Sequence, residues 1–383
     1  MRAVFFTAAA FSAILTAFAA PTFNNVPITK FAGPVKPNSY IIKLKDGVHK
    51  DSHITKLLSS TIGSTIGYSY DQVLGFPGYA AELKGLGLAF VRQSKDVESI
   101  FEDGIVTLDH EFSEDTGVTR PTMISRGELT GSTKGKGVDV YGIDTGIQTN
   151  HTDFGGRARW GATFGGYANE DGNGHGTHTA ATAVGYKYGV ATSASITAVK
   201  VLSDEGSGAI SDIIAGVLYV AVSALASGRP SIATLSLGGS TSPLLDFALG
   251  IAIKSGVHCT VAAGNSNVDA AETSPARVEA ANTVGAVDSD NKKAYFSNYG
   301  SLLDVWALGV AVKSAWIGTD TTETLVLSGT SMATPLVAGV LAMAIEQHGN
   351  KSPAELSEDL KTHARPVVTG QPDGTMNLLA TLW

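Results

Sequence analysis

The sequence predicts an α/β fold, a mostly parallel sheet with helices on both faces, preceded by a smaller α+β domain. From residue 135 to the C-terminus, short apolar segments alternate with longer helical ones. Such alternation is typical of a parallel sheet that is covered on both faces. The 44 glycines suit a fold with many tight turns, and 383 residues are enough for two domains with a large core.

The segment before residue 112 has strand and helix signals in the order β-α-β-β-α-β. Residues 40–45 predict a strand, and residues 51–60 predict a helix capped by Asp51 or Ser52. Residues 67–83 carry strand and turn signals, 87–101 predict a second helix, and 105–108 predict a last strand. This order is the ferredoxin-like pattern.

The C-terminal part supplies five predicted strands and four predicted helices. The strands are residues 138–143, 194–201, 232–237, 257–262 and 283–287. The helices are residues 176–184, 210–226, 243–255 and 332–347. Ligands on such sheets bind outside the carboxyl ends of the strands, and Asp144 follows the first of these strands.

The N-terminus predicts a secretory signal peptide over residues 1–19. Met1 and Arg2 precede an apolar run that is short for a membrane span, and a small-x-small pattern precedes Ala20. A membrane anchor is the alternative. We see no later stretch that is long and apolar enough to cross a bilayer. The net charge of −8 argues against a general nucleic-acid binder, because such proteins usually carry a basic footprint.

The segment LSGTSMATP, residues 327–335, predicts a tight turn that delivers Ser331 to the first turn of a buried helix. Gly329 is expected to allow a backbone that a side chain would block. Pro335 is expected at an early helical position with no amide partner to lose, and Gly349 is expected to end the helix. A hydroxyl there can attack a carbonyl beside amides that favour negative charge. The alternative is that Ser331 only caps the helix.

Two upstream segments give that serine its context. One is VDVYGIDTG, in which Asp144 directly follows a predicted strand, and the other is DGNGHGTHTAA, which contains His175. With Ser331 they provide Asp, His and Ser in the chain order of one known serine-protease arrangement. Together the three segments resemble the subtilisin-like serine proteases, and most closely the secreted fungal branch that includes proteinase K. The resemblance runs from about residue 135 to the C-terminus.

The resemblance implies a division of the chain and a reaction. Residues 20–115 resemble a pro-domain that chaperones folding and then blocks the active site, with residues 116–383 as the catalytic domain. An unrelated accessory domain is the alternative. Maturation is expected near Asp115. Ser331 would attack the peptide carbonyl, His175 would act as base and then acid, and Asp144 would orient the imidazole.

His175 is the expected catalytic histidine, with Gly176 allowing close packing beside it and His178 in a structural role. A metal site at the two histidines is the alternative, although zinc pairs on helices are normally four residues apart. Asn265, in the segment VAAGN, resembles the family's oxyanion asparagine, with the Ser331 amide as the second donor. Taken alone, an asparagine after glycine is usually a turn residue.

The resemblance also identifies the substrate-binding segments. One side of the cleft is expected to comprise Ser236, Leu237, Gly238 and Gly239 together with Ala263 and Gly264. The opposite side is expected to comprise Gly206, Ser207 and Gly208. Glycines there let an extended peptide pair with the backbone, which predicts broad specificity with an apolar-leaning S1 pocket. Glu272 is the one nearby carboxylate that could tune this pocket, and a solvated loop position is the alternative.

The chain departs from the family at a few positions. Ala181 stands in place of a glycine and Leu336 in place of a histidine. Cys259 is the single cysteine, so intramolecular disulfides are excluded although this branch usually has them; a buried structural thiol is expected. Asp288 resembles a calcium-binding carboxylate, but Glu279 replaces the upstream proline, so a surface loop is the alternative. Asn150 and Asn350 lie in glycosylation sequons.

These observations predict a secreted serine endopeptidase that is a monomer. Its partners are expected to be polypeptide substrates and its own pro-domain, with no nucleic acid and no membrane. No cofactor is expected for the chemistry. A dinucleotide-dependent oxidoreductase is disfavoured, because no G-x-G-x-x-G turn follows the first strand. A catalytically silent binding protein with the same fold is the remaining alternative.

Overall fold

The computed structural model describes residues 25–70, 74–108 and 134–383, together with the backbone pairing of residues 111 and 112. The predicted signal peptide and the predicted maturation stretch around Asp115 lie outside the described residues. The helices are α1 Lys50–Ser60, α2 Leu86–Gln93, α3 His175–Val184, α4 Ile210–Ser227, α5 Pro243–Lys254, α6 Thr330–His348 and α7 Pro353–His363.

The strands are short, as is usual for strands that cross a sheet between helices. They are β1 Ile28–Thr29, β2 Val35–Leu44, β3 Thr65–Ser69, β4 Gly78–Glu82, β5 Val97–Thr107, β6 Glu111–Phe112, β7 Asp139–Asp144, β8 Ala158–Thr163, β9 Ser195–Lys200, β10 Ser207–Ala209, β11 Ser231–Leu235, β12 Gly239–Ser240, β13 His258–Ala262, β14 Thr273–Ser274, β15 Asn282–Val287, β16 Val305–Leu308, β17 Val312–Ala315, β18 Thr324–Ser328, β19 Arg365–Pro366 and β20 Leu378–Leu379.

The central sheet has the order β19-β20-β16-β15-β13-β11-β7-β9-β8. All its neighbouring strands pair in parallel except β19 and β20, which confirms the predicted sheet type. Successive residues of a strand face opposite sides of a sheet. Accordingly Val140 belongs to the core cluster with α3 and α6, whereas Tyr141 belongs to the cluster with α4 and α5. The sheet is therefore covered on both faces.

Helix α4 corrects one expectation about the later part of the chain. This helix is long and apolar enough to cross a membrane by length and composition, although 67% of it is buried inside the protein. It packs against α5 and contacts strands β7, β8, β9 and β11. Its apolar composition is that of a core helix between a sheet and neighbouring elements.

The N-terminal domain has the predicted ferredoxin-like arrangement. Its strands lie in the order β1-β5-β2-β4-β3, and β2 pairs antiparallel with both β4 and β5. One face of this sheet packs with α1 and α2 around Leu57 and Val91. Its other face contributes Ile41, Ala80 and Val106 to the same core cluster as α4 and α5. The two sheets therefore sandwich α4 and α5.

Two predictions in this domain are wrong in detail. The second helix ends at Gln93, not near residue 101, and Val97 already begins β5. Ser94 Oγ accepts a hydrogen bond from the Asp96 amide at 3.2 Å, and such a local bond competes with helix continuation. Helix α1 is preceded by His49, which makes no side-chain capping bond; Asp51 and Ser52 lie inside the helix and do not cap it.

Candidate active site

Four neighbouring parallel strands bring several of the predicted site residues to one edge of the central sheet. Asp144 is the last residue of β7, and Ser236 directly follows β11. Asn265 follows β13, and Gly206 follows β9. Because β13, β11, β7 and β9 are adjacent and parallel, their carboxyl ends open into the same crevice.

Asp144 and His175 form a buried hydrogen-bonded pair. His175 Nδ1 lies 2.8 Å from Asp144 Oδ1 and 3.0 Å from Oδ2. Asp144 is 2% exposed and His175 0%. The carboxylate also accepts bonds from the Thr145 amide at 2.7 Å and from Thr179 Oγ1 at 3.4 Å. A carboxylate held in this way fixes the orientation of the imidazole and can stabilise its cation.

The backbone of Gly176 allows α3 to approach β7. A Cβ atom at Gly176 would lie 2.1 Å from the carbonyl oxygen of Gly146, so only glycine fits between the helix and the turn after Asp144. This confirms the close packing expected beside His175. His178 is buried, its Nε2 lies 3.1 Å from the Val312 carbonyl oxygen, and Trp316 packs against its ring. This is the structural setting expected for His178.

Ser331 is the second residue of α6, within its first turn, as expected. Gly329 is the N-cap, so Ser331 does not cap the helix. Gly329 has an extended backbone with φ 162° and ψ 161°, and the nearest neighbour of an added Cβ lies 3.4 Å away. The expectation that Gly329 permits a backbone closed to other residues is therefore wrong.

Pro335 also has a different role from the one expected. It is the sixth residue of α6, and it cannot donate to the carbonyl of Ser331, four residues before it. Ser236 Oγ donates to that carbonyl oxygen at 2.8 Å. In return, Ser331 Oγ donates to the carbonyl oxygen of Ser236 at 3.2 Å. The Ser331 carbonyl oxygen lacks its helix hydrogen bond because residue 335 is proline. It is bonded instead to Ser236 at the end of β11.

Thr330 fixes the orientation of the Asn265 side chain. The Thr330 amide donates to Asn265 Oδ1 at 2.9 Å, and Thr330 Oγ1 donates to the same atom at 2.8 Å. A backbone amide can only donate, so the oxygen of the Asn265 side chain must face it. Nδ2 is then the atom of this side chain that can donate to a ligand. Thr330 stands inside the segment LSGTSMATP, and nothing in that sequence pattern predicts this role for it.

A pocket beside Ser331 contains most of the predicted substrate-binding residues. It has a volume of about 240 Å³. It is lined by Thr107, Leu108, Ser236, Leu237, Gly238, Gly239, Ala262, Ala263, Gly264, Asn265, Ser266, Thr273, Asn298, Thr330 and Ser331. None of these lining residues is charged. Glu272 is exposed and outside the lining, which agrees with the surface-loop interpretation.

Strand β5, at the end of the N-terminal domain, extends into this cleft. Strand β5 pairs antiparallel with β10, with Thr107 opposite Ser207 and Val106 opposite Gly208. The Leu108 amide then donates to the Gly206 carbonyl oxygen at 2.9 Å. Thr107 and Leu108 line the pocket next to Ser331. The segment that was predicted to bind substrate backbone thus binds an extended segment of this same chain.

Asp288 lies apart from these residues, in a turn after β15. Its Oδ1 accepts hydrogen bonds from the amides of Asp290 and Lys292 at 2.9 and 3.0 Å. Within the described residues, no group of three or more His, Cys, Asp or Glu side chains is arranged to hold a metal ion. The carboxylate of Asp288 thus stabilises its own turn through Oδ1, and the calcium site expected from this carboxylate and upstream carbonyls stays a prediction.

Comparison with known proteins identifies the family. A sequence profile of the Subtilase family matches residues 135–378. The chain belongs to the subtilase family. A profile of the peptidase inhibitor I9 family matches residues 39–109, which cover most of the N-terminal domain. The subtilase is therefore a serine endopeptidase with an inhibitor-type pro-domain.

Individual relatives agree with this assignment. Subtilisin-like protease 2 of Pseudogymnoascus destructans is 42% identical in an alignment of 322 residues that covers 82% of this chain and 80% of that protein. A subtilisin-like serine protease of Rhodotorula mucilaginosa is 45% identical over 270 residues, covering 66% of this chain and 79% of the relative. The crystal structure of a cold-adapted subtilisin-like serine proteinase is similar with a TM-score of 0.62 and 43% identity, covering 66% of this chain and 92% of that chain.

The two family departures noted in the sequence lie in the core of this subtilase. Ala181 is buried inside α3, and Leu336 is buried inside α6. Both belong to the core cluster that α3 and α6 share. Cys259 is likewise buried on β13, and burial raises the pKa of its thiol. Apolar surroundings keep such a thiol protonated and unreactive.

Proposed function

We propose that this subtilase is made as a self-processing precursor and acts as a broad-specificity endopeptidase. The observation that carries the proposal is the pairing of β5 with β10, which lays pro-domain residues 105–108 along the cleft beside Ser331. Main-chain pairing of this kind is how an edge strand binds an extended peptide. The pro-domain occupies the place of a substrate and so blocks the cleft.

The proposed reaction is acyl transfer at Ser331. Its hydroxyl attacks the substrate carbonyl, and His175 takes the proton through Nε2 while Asp144 holds Nδ1. Ser331 Oγ donates to the Ser236 carbonyl oxygen in this structure, and in the proposed reaction the hydroxyl donates to the imidazole instead. His175 then returns the proton to the leaving amine, and water releases the acyl group by the same steps.

The proposed oxyanion donors are Asn265 Nδ2 and the backbone amide of Ser331. Thr330 holds Oδ1 of Asn265, which leaves Nδ2 as the donor. Amides in the first turn of a helix have no acceptor within that helix, so the Ser331 amide is suited to a developing negative charge. Preorganised donors of this type usually supply the largest share of transition-state stabilisation.

The pocket supports broad specificity with an apolar-leaning S1 site. Its lining is uncharged, and small residues such as Gly238, Ala263 and Gly264 form part of it. The backbone of Gly206, Ser207 and Gly208 would hold a substrate without reading its side chains. A pocket without a charged residue gives no added affinity to a charged side chain, which would lose its hydration there.

Two anchors of the chain support a processing site between Leu108 and Glu111. Leu108 is bound to Gly206 on one side. Beyond it, β6 pairs antiparallel with β18, so that Glu111 lies opposite Ser328, three residues before Ser331. Leu108 lines the pocket with Ser331, and Glu111 pairs with the strand that leads to Ser331, so we propose that the scissile bond lies between these two residues. The cut would then precede the boundary near Asp115 expected from the sequence.

The proposed location is extracellular. Its support is the signal-peptide pattern of residues 1–19, and a secreted enzyme would meet polypeptides from outside the cell. Folding as a monomer without a required cofactor remains part of the same proposal. Glycosylation at Asn150 and Asn350 also depends on secretion.

A serine-directed fluorophosphonate tests the proposal. The mature wild-type enzyme should be labelled at Ser331 and lose casein hydrolysis, and the N-terminus of the first processed species should be residue 109, 110 or 111. Ser331→Ala should accumulate as a folded, uncut precursor that takes no label. Cutting of the Ser331→Ala protein at the wild-type rate in the absence of other proteases, or a first cut at Asp115 or later, would contradict the respective part of the proposal.

A further inference from the structure

Asp171 is a buried carboxylate to which the triad mechanism assigns no task. It is 8% exposed and lies in the loop before α3. Its Oδ1 accepts hydrogen bonds from Thr145 Oγ1 at 2.9 Å, the Gly174 amide at 2.9 Å and the Asn173 amide at 3.2 Å. Its Oδ2 accepts from the amide of Thr177 at 3.0 Å and from its Oγ1 at 2.6 Å. Both oxygens are thus fully engaged.

The donors to Asp171 come from both segments that carry the Asp144–His175 pair. Thr145 follows Asp144 directly, and its amide donates to Asp144 Oδ1 at 2.7 Å. Gly174 and Thr177 lie on either side of His175. Thr145 Oγ1 also accepts from the Gly176 amide at 2.9 Å while it donates to Asp171. One carboxylate therefore links the end of β7 to the first turn of α3.

Thr145 is held from its other side as well. The buried ammonium of Lys200 donates to the Thr145 carbonyl oxygen at 2.5 Å and to Asp204 Oδ1 at 2.8 Å. Asp204 Oδ1 in turn accepts from the Gly172 amide, next to Asp171, at 3.2 Å. The residue after Asp144 is therefore fixed by its hydroxyl and by its carbonyl. Any displacement of Thr145 would be passed to Asp144 through the chain itself.

We propose that Asp171 is a positioning residue that holds the Asp144 carboxylate and the His175 imidazole in register for proton transfer. This inference rests on the proposed catalytic roles of Asp144 and His175. Asp171 touches neither of the two side chains, so it acts through Thr145 on one segment and through Gly174 and Thr177 on the other. Catalysis is sensitive to such register, since a misplacement of about 1 Å can cost about 100-fold in rate.

The residue must be a carboxylate because every group that faces it is a donor. An asparagine has one acceptor oxygen and one amino group. In Asp171→Asn, an amino group would therefore confront either Thr177 or the Thr145–Gly174 side. The side chain would keep its size, but one of the two segments would lose its anchor. Asp171→Asn thus removes the charge and one acceptor atom while it keeps the volume of the side chain.

The test compares Asp171→Asn with a matched variant in the full chain, Asp139→Asn. Asp139 is 2% exposed, begins β7, pairs with Arg229 at 3.0 Å and accepts from Ser195 Oγ at 2.5 Å. It is a buried carboxylate on the same strand as Asp144 but at the opposite end. We expect Asp171→Asn to lower kcat per titrated active site by about 10- to 100-fold with little change in KM.

The pH profile separates positioning from a structural role. In Asp171→Asn the imidazolium of His175 should be less well stabilised by Asp144, so the acid limb of kcat/KM should move to lower pH. Asp139→Asn should lower the Tm and leave both kcat and the pH profile unchanged. A wild-type kcat and an unshifted profile in Asp171→Asn, with only a lower Tm, would overturn the inference.

A smaller change covers the case in which Asp171→Asn does not mature. Folded, uncut precursor with the Tm of Ser331→Ala would support the inference, because self-cleavage is itself a turnover. If the protein does not fold, Thr177→Val removes the hydroxyl donor to Asp171, together with the acceptor of the Gln148 amide, and keeps the Thr177 amide bond to Asp171. A lowered kcat with unchanged KM is then expected, and a wild-type kcat would overturn the inference. Undiminished activity of Ser331→Ala would instead defeat the proposed function, whatever Asp171 does.

Discussion

At the scale of single residues, Thr330 holds the side chain of Asn265, the proposed oxyanion donor, in one orientation. Asn265 lines the pocket with Ser331, and its Oδ1 accepts two hydrogen bonds from Thr330. The Gly264 amide also donates to Thr330 Oγ1 at 3.2 Å, so the hydroxyl joins the strand end to the serine turn. A donor fixed in this way needs little rearrangement as charge develops on the substrate oxygen.

Asn265→Ala should slow turnover far more than it weakens substrate binding. Loss of such a donor costs about 2.7–4 kcal/mol of barrier, or about 100- to 1,000-fold in kcat. Steady-state kinetics on a peptide anilide should show that fall with KM little changed.

Thr330→Val and Thr330→Ser serve as a graded control. Valine removes the hydroxyl bond to Asn265 but keeps the amide bond, so a smaller loss of kcat is expected than in Asn265→Ala. Serine keeps both bonds and should remain close to wild type. If Asn265→Ala raised KM and left kcat intact, the side chain would bind ground-state substrate and not the oxyanion.

Helix α3 shows at the element scale how the backbone sets the site. Its first residue is His175, and its second, Gly176, contacts the turn that follows Asp144. The amide of Gly176 donates to Thr145 Oγ1 at 2.9 Å. Contact and hydrogen bond together place the helix start against the end of β7.

Gly176→Ala should therefore reduce activity by separating His175 from Asp144. The new Cβ would lie 2.1 Å from the Gly146 carbonyl oxygen and 3.0 Å from its nitrogen, and backbone atoms cannot swing aside as a side chain can. We expect at least about a 100-fold loss of kcat and accumulation of uncut precursor, measured by casein hydrolysis and gel analysis.

Gly250→Ala is the matched control for that change. Gly250 lies inside α5, and an added Cβ there meets nothing within 4 Å. Alanine in a helix interior is more stable than glycine by about 0.5–1 kcal/mol, so the Tm should rise slightly with activity unchanged. Full activity in Gly176→Ala would show that the α3–β7 contact can relax without cost to the site.

The elements that could be predicted from sequence are those in which the buried residues form a clear pattern of apolar residues along the chain. The strands around 139–144 and 258–262 are buried throughout, and such strands appear as short apolar runs bounded by turns. The sequence predicts a helix over the start of strand β5, because its apolar residues Val97 and Ile100 are three positions apart, a spacing that also suits a helix. Helix α7 was missed although Ser352 and Glu355 form a capping box, which is a readable signal.

The site was predictable in its reacting residues but not in its supports. Asp144, His175, Ser331 and Asn265 stand in motifs whose residue types the chemistry requires. The roles of Asp171, Thr145 and Lys200 depend on which donors meet which acceptors across β7, β9 and α3, and spacing along the chain does not encode that. The hydrogen bond from Ser236 Oγ to the Ser331 carbonyl oxygen likewise depends on the missing amide of Pro335. It also requires α6 to lie beside β11, which the sequence does not show.

At the scale of the whole molecule, the pro-domain docks on the start of α4. Asp103 of β5 is 0% exposed and accepts hydrogen bonds from the Ser211 amide at 2.9 Å and from Ser211 Oγ at 2.7 Å. A carboxylate at this position satisfies first-turn amides and complements the helix dipole. Tyr68 donates to Asp212 Oδ1 at 2.7 Å and accepts from the Gly165 amide at 2.8 Å. The polar contacts at the start of α4 thus join the two domains.

Asp212 should make the retention of the cleaved pro-domain depend on pH. Burial raises the pKa of this carboxyl, with nearby Asp103 adding to the rise and with Tyr68 and Lys36 opposing it. When the pro-domain leaves, solvent returns to Asp212 and its pKa should fall. The complex therefore binds a proton more readily than the separated parts, so pro-domain retention should be strongest at acid pH and weaken as the pH rises through the raised pKa.

Asp212→Asn should remove this part of the pH dependence. Asparagine is uncharged at every pH, and its Oδ1 can still accept the hydrogen bond from Tyr68. After self-processing, gel filtration at a series of pH values from about 4, near the ordinary aspartate pKa, up to about 8 should show wild-type pro-domain retained more at the acid end, and the variant should retain more than wild type at the alkaline end. The lag before protease activity appears should lengthen in the variant at pH 8. Greater release of wild-type pro-domain at the acid end of this series than at the alkaline end would mean that another group controls the interface.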